Sequence, residues 1–276
     1  MTFVALITGA SSGIGEATAR RLARESDVHL VLVARRQERL ESLSAELGRA
    51  TAIAADLTDD EAPERIARQV EQEHGALHLL VNNAGARWNG SFAEAGWANV
   101  QRHMQVNFDA QLRLTEALLP LLHRAAQQPA PAAVSANGWS APVSIVNVAS
   151  TSGRVARRGA GSYSASKFAL IGWSDSLHLE EQAQGVHVGV VLPGFIATEG
   201  FPAAELRAKP LTRRIVSTPD VVAEAILEAG PGGKAERYTP RYYWLAAAAR
   251  VLAPSLIRRA TSGDAFTTST PGTGNS

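Results

Sequence analysis

Tyr163 and Lys167 stand four residues apart in the stretch from Ser150 to Lys167, STSGRVARRGAGSYSASK. On a helix that spacing puts both side chains on one face, where an ammonium can lie beside a phenol and favour its charged form. Such a pair can give a proton to a substrate oxygen or take one from it. Ser150 ends the apolar run PVSIVNVA and can aim a hydroxyl at the same oxygen. Tyr-x-x-x-Lys also arises by chance, so its meaning depends on what the rest of the chain places around it.

A second chemical feature lies near the N-terminus. Thr8 to Gly15 reads TGASSGIG between an apolar run and a helical pattern. Gly9, Gly13 and Gly15 let the backbone turn and approach a pyrophosphate, with Ser11, Ser12 and Ile14 as further contacts, and the dipole of the new helix favours the charge. The same residues fit G-x-S-x-G, the nucleophile elbow of serine hydrolases, with Ser11 as nucleophile and His178 or His187 downstream. Against this, the elbow would follow the first strand, which leaves no earlier strand-to-helix loop for the second oxyanion donor. Ser164 and Lys167 match S-x-x-K of acyl-enzymes, but neither S-D-N nor K-T-G is present.

The end of the second apolar run bears on the ligand. An NAD site usually has Asp or Glu there to accept from the ribose 2′-hydroxyl. This chain has Ala34, Arg35 and Arg36. Arginine holds a 2′-phosphate through charge-assisted bonds, so NADP is the expected cofactor. A solvated helix start is the other use for these two arginines.

Short aliphatic runs alternate with longer helical patterns, which favours a parallel sheet covered on both faces. Strands are expected at Phe3 to Ile7, Val28 to Val33, Thr51 to Ala55, Leu77 to Val81, Val143 to Val148, Val186 to Leu192 and Ala235 to Thr239. Helices are expected after Gly13, from Gln37 to Leu47, after Pro63, from Gly161 to about Gln184 and from Pro219 to Glu228. From Gly96 to about Ala126 the pattern is long enough to require a bend or two helices end to end. Residues 127–142 have no usable period and read as a surface loop, away from the chemistry.

The 276 residues are 45% hydrophobic, enough for one α/β domain with a sizeable core. A net charge of +1, with both signs interspersed, gives no reason to expect nucleic acid. The absence of cysteine excludes disulfides and thiol chemistry. MTFVALITGASSG has no basic leader region and reads as the first strand, and no apolar run reaches the ~18 residues of a membrane span. The expected location is cytoplasmic.

Taken together, the motifs resemble the short-chain dehydrogenase/reductase family in its single-domain branch. The likeness runs from Phe3 to Thr198: TGASSGIG at 8–15, Asp56 after the third strand, NNAG at 82–85, Asn107, Ser150, YSASK at 163–167 and PGFIAT at 193–198. It implies a Rossmann-like, doubly wound parallel sheet and an oxidoreductase that moves hydride between nicotinamide and a carbonyl or secondary alcohol. In that family's terms Tyr163 is the general acid in reduction and the base in oxidation. Lys167 binds the nicotinamide ribose, Ser150 polarises the carbonyl, and Asn107 holds a water in a proton relay reaching Lys167. Asn83, Ala84 and Gly85 line the cofactor, and Asp56 with Leu57 caps the adenine. Thr198 and the backbone at Ile196 grip the carboxamide beside Pro193 and Gly194. The likeness also implies a homodimer or homotetramer, with helices around 108–122 and 163–183 in contact. A protein of the same fold that binds NADP as a sensor, with negligible turnover, is the alternative.

Residues 1–240 would then form the catalytic domain, with a variable substrate lid at about 199–216. Beyond it, 241–260 is an amphipathic helical extension and 261–276 a polar tail expected to be disordered. The extension carries Tyr242, Tyr243 and Trp244 with Arg241, Arg250, Arg258 and Arg259, suited to a membrane surface, a partner subunit or its own substrate cleft. Pro254 would kink it. His74 and His78 have a metal-like spacing, but Gly75 should end their helix, so no metal site is expected.

Overall fold

The computed structural model describes residues 1–199 and 216–262. Most of the expected lid and of the expected tail lies outside them. Seven parallel strands form one sheet in the order β3-β2-β1-β4-β5-β6-β9: β1 Phe3–Thr8, β2 Val28–Ala34, β3 Ala50–Ala54, β4 Leu79–Asn82, β5 Ser144–Val148, β6 His187–Pro193 and β9 Glu236–Thr239. A separate two-stranded ribbon pairs β7 (Phe195–Ile196) with β8 (Val216–Ser217).

All six residues of β1 are buried because helices cover both faces of the sheet. Alternation then divides the strand between two cores. Phe3, Ala5 and Ile7 pack with Leu22, Leu40 and Ile226, under α1 (Gly13–Leu22), α2 (Gln37–Leu47) and α8 (Pro219–Ala229). Val4 and Leu6 pack with Ile66, Leu114 and Leu177, under α3 (Ala62–His74), α5 (Ala110–Ala126) and α7 (Gly161–Glu181). Strand order reverses between β1 and β4, and in such sheets a crevice opens outside the carboxyl ends of the strands at that point.

The bend expected between Gly96 and Ala126 is a π-helical segment, Gln105–Asp109, between α4 (Phe92–Met104) and α5. Asn107 is buried within it. The surface loop expected at 127–142 is a correction. Pro131 starts a short helix, α6 (Ala132–Ala136), whose Ala133 and Val134 are buried, and the Trp139 ring packs 4.8 Å from Phe3. Five residues are too few to show a helical period, and Phe3 provides the apolar surface they cover. The segment lies at the amino end of β1, away from the crevice.

The C-terminal extension breaks into α9 (Trp244–Leu252) and α10 (Pro254–Thr261), with the interruption at Ala253 just before Pro254. Trp244, Leu245, Val251, Leu252 and Leu256 are exposed. Tyr243 instead packs on the carboxyl end of the sheet: a Cβ on Gly194 would come within 2.0 Å of its ring. Among the described residues no helix is long and apolar enough to cross a membrane.

Candidate active site

Two loops meet at the switch point. The turn after β1 is so close to the one after β4 that a Cβ on Gly9 would stand 2.9 Å from Asn83 Nδ2 and 3.1 Å from Ala84 Cα. A Cβ on Gly15 would lie 2.3 Å from the Gly9 carbonyl, so α1 can follow the turn this closely only with glycine there. Thr8 ties the loops together: its hydroxyl donates to the Val81 carbonyl and accepts from the Asn83 and Ala84 N–H groups at 2.9 Å. Asn83 Nδ2 donates to the Thr8 carbonyl.

Several residues lie on α1 or beside it. Ser12 heads α1 without a side-chain cap, which leaves the first-turn N–H groups of Gly13, Ile14 and Gly15 for a ligand. Ser11 is buried and is held by Arg36, whose Nε donates to Ser11 Oγ at 3.2 Å and whose Nη2 donates to the Ser11 carbonyl at 3.3 Å. The third contact of Arg36 is Glu199, at 3.1 Å, and Arg39 holds the same carboxylate at 2.8 and 3.1 Å. These bonds keep the Glu199 carboxyl below its usual range. Arg35 is exposed and stands 3.9 Å from Asp56 Oδ2. Asp56 Oδ1 accepts from the Thr58 N–H and hydroxyl; burial works to raise its carboxyl, but these bonds and Arg35 outweigh it and lower it. The Leu57 side chain is buried in the core, so its backbone is what it can offer a ligand. Thr198 stands over the loop, its methyl 3.1 Å from where a Cβ on Gly13 would be.

The other half is built on β5 and α7. Lys167 is fully buried, and its Nζ donates to the Val148 carbonyl at 2.9 Å. It lies 3.7 Å from where a Cβ on Gly85 would stand, and Asn107 Oδ1 lies 3.0 Å from that point. Burial pushes the amine down to about 7. Asn107 uses its whole amide: Oδ1 accepts from the Ala86 N–H, and Nδ2 donates to the Ala86 carbonyl and to Ser166 Oγ. Ser150 Oγ accepts from the Ser152 N–H and donates to the Pro193 carbonyl at 3.4 Å. The following turn, Thr151–Gly153, packs on α7 so closely that a Cβ on Gly153 would meet the Lys167 carbonyl at 2.8 Å. Ser150 and Lys167 are thereby brought to the carboxyl end of β5. Tyr163 is half-buried one turn before Lys167, its ring 6.1 Å from His103.

Several supporting groups escaped the sequence reading. Asn82 Nδ2 donates to Thr115 Oγ1 and Asn147 Oδ1, Asn147 Nδ2 donates to Ser174 Oγ, and Gln111 Nε2 donates to the Ala84 carbonyl. This buried network fixes the NNAG turn and α7 to the strands behind them. Arg87 and Arg157 also stand at Tyr163, and no motif spacing marks either one. Arg39 lies one turn beyond Arg36, where the second-strand argument did not reach.

The serine-hydrolase alternative does not survive. His178 Nδ1 bonds the Val188 carbonyl and His187 Nε2 the Ala229 carbonyl, and the two rings pair 5.5 Å apart. His187 starts β6, whereas Ser11 follows the end of β1, so in a parallel sheet nucleophile and base lie at opposite ends.

Residues 3–207 match the family model described as short chain dehydrogenase. The chain belongs to that family. It is 33% identical over 229 residues to a ketoacyl reductase, HetN, of Nostoc sp., covering 81% of this chain and 74% of that one. It is 32% identical over 211 residues to a meso-2,3-butanediol dehydrogenase of Serratia marcescens, covering 75% and 77%. A solved short-chain dehydrogenase from Streptomyces avermitilis superposes with a TM-score of 0.75 at 28% identity, covering 94% of this chain and 97% of the other. Members of this oxidoreductase family act with nicotinamide cofactors. The observed sheet agrees with the Rossmann-like architecture that the motifs implied.

Proposed function

We propose that this short-chain dehydrogenase reduces a carbonyl, or oxidises the matching secondary alcohol, with NADP(H) and with Tyr163 as the proton-transferring group. The observation that carries the reading is the buried Lys167 amine, set between Asn107 and Gly85 at the carboxyl end of β5. A structural lysine gains nothing from that position, because burial disfavours its charge and one carbonyl is its only hydrogen-bond partner among the described residues.

The bound nicotinamide supplies or accepts the hydride. In reduction, Tyr163 donates its phenolic proton to the developing alkoxide, and Ser150 holds the same oxygen through its hydroxyl. Lys167 restores the proton to Tyr163 and is itself resupplied by a relay through a water held at Asn107. The uncapped N-terminus of α1 holds the pyrophosphate, with Ser11, Ser12, Gly13, Ile14 and Gly15 around it. Asp56 and Leu57 face the adenine, Asn83 to Gly85 line the ribose side, and Pro193, Gly194, Ile196 and Thr198 hold the carboxamide.

The choice of NADP rests on Arg36 and Arg39. Both already hold the oxygens of one exposed carboxylate, and a 2′-phosphate offers the same bonds with more charge. Arg35, turned towards Asp56, adds charge at longer range. Oxidation of NADPH with a panel of ketones and aldehydes, using Tyr163→Phe as control, tests the chemistry. Titration with NADPH and NADH tests the cofactor, and equal affinities would overturn the NADP assignment.

A further inference from the structure

Two guanidinium groups next to Tyr163 have no counter-ion among the described residues. Arg87 stands over the phenol ring with its Cζ 5.6 Å from the centroid. It is half-buried and bonds Asn89 Oδ1 through Nε. Arg157, from the loop between β5 and α7, lies close enough to feel the charges of both Arg87 and Tyr163. Its Nη2 donates to Ser152 Oγ at 3.1 Å, its Cζ lies 4.5 Å over Phe195, and its buried Nη1 has no hydrogen-bond partner among the described residues.

The charged and titratable groups facing this pair are each other, Tyr163, Tyr243 and, beside Arg87, the His103 ring. Burial lowers both guanidiniums, and repulsion from Arg87 adds to the burial that brings Arg157 to about 10. Two half-buried cations that repel each other, one with a buried donor atom unpaired among the described residues, are an unfavourable arrangement unless an anion joins them.

We propose that Arg87 and Arg157 form an oxyanion receptor within the substrate pocket, and that the substrate is a carbonyl compound or alcohol bearing a carboxylate or phosphate a few bonds from the reacting carbon. This rests on the oxidoreductase reading, because it takes Tyr163 to mark the reacting oxygen. The planar fork of each guanidinium suits both kinds of oxyanion, and the short reach from Arg87 to the phenol ring fixes the close spacing. Tyr243, packed against Gly194, lies within the field of Arg157 on the same side.

The test separates binding from turnover. Binding of 2-oxobutanoate, 3-oxobutanoate and 4-oxopentanoate, each against its methyl ester, is measured by calorimetry on the full-length Tyr163→Phe protein with and without NADPH. Dihydroxyacetone phosphate against dihydroxyacetone distinguishes phosphate from carboxylate. At least one anion is expected to bind tenfold or more tightly than its neutral partner, and that ratio is expected to fall towards one when Arg157→Met or Arg87→Met is added. Arg157→Lys, which keeps the charge and loses the fork, should retain part of it. Equal binding of every anion and its neutral partner in the arginine-intact protein would overturn the proposal without need of any arginine variant. If anions bind selectively and wild-type protein oxidises no NADPH with any of them, the receptor stands and the oxidoreductase reading falls.

Discussion

On the glycine-loop rim, Arg36 and Arg39 share the exposed Glu199 carboxylate, whereas on the substrate rim Arg87 and Arg157 are half-buried and meet no carboxylate among the described residues. The difference is one of replaceability. An exposed ion pair is worth little and is readily exchanged for a better anion, so Glu199 can hold the rim without blocking it. A half-buried pair that meets no carboxylate has no such substitute among the described residues. Between the rims lies Lys167, fully buried and held by a backbone carbonyl. Three settings of cationic side chains thus line one crevice, and each makes a separate demand on what binds there.

The first way to break this comparison is to remove the proton donor between the rims. Tyr163→Phe should lower kcat about 10²- to 10⁴-fold, while stopped-flow fluorescence finds NADPH still bound. Loss of cofactor binding in that variant would mean that the rims are not independent of the centre.

The second concerns Lys167. Its amine titrates at about 7 in the folded protein, against 10.5 as its ordinary value. Below the lower value both states carry the proton and folding bears the full cost of burying it; above the upper value neither state does. The stability of the unliganded wild type relative to Lys167→Met should therefore rise from pH 7 to 10.5, by up to about 5 kcal/mol at ~1.4 kcal/mol per pH unit. Urea unfolding at a series of pH values measures it, and a flat difference would show that the amine is solvated.

Smaller effects belong to the glycine-loop rim. Arg36→Leu should reduce the ratio of NADPH to NADH affinity roughly ten- to a hundredfold, as expected for the loss of charged hydrogen bonds. Glu199→Gln should act in the opposite direction and more weakly, raising NADPH affinity about two- to fivefold at low salt, with the gain fading as ionic strength rises. If Glu199→Gln weakens NADPH instead, the carboxylate supports the rim and does not compete for it.

What could be read from the chain was what is local in it. The Tyr163–Lys167 spacing, the glycine turn, Pro63 near the start of α3 and Gly75 at its end all act within a few residues, and each appears where its spacing put it. Asn107 was legible as a residue in a bent helix because the pattern from 96 to 126 was too long for one straight element. The contacts that distinguish the two rims were not legible. Glu199 reaches Arg36 across 163 positions, and Arg87 and Arg157 come from the turns after β4 and β5, which only the sheet order makes neighbours. The same holds for Asn82, Asn147 and Ser174, whose hydrogen bonds join two strands and a helix. Alpha-helix α6 failed for the converse reason: it is too short to carry its own signal, and its partner Phe3 is more than a hundred positions away.

The ring of Tyr243 occupies the space that a side chain at 194 would need. A part of the chain beyond the family match thereby becomes a wall of the proposed substrate pocket. A protein shortened after Thr239 would lose that wall together with its exposed aromatic and aliphatic tail, so a change in its selectivity would not by itself implicate a membrane. Variation among relatives in this last stretch would reshape the pocket while leaving its chemical centre alone.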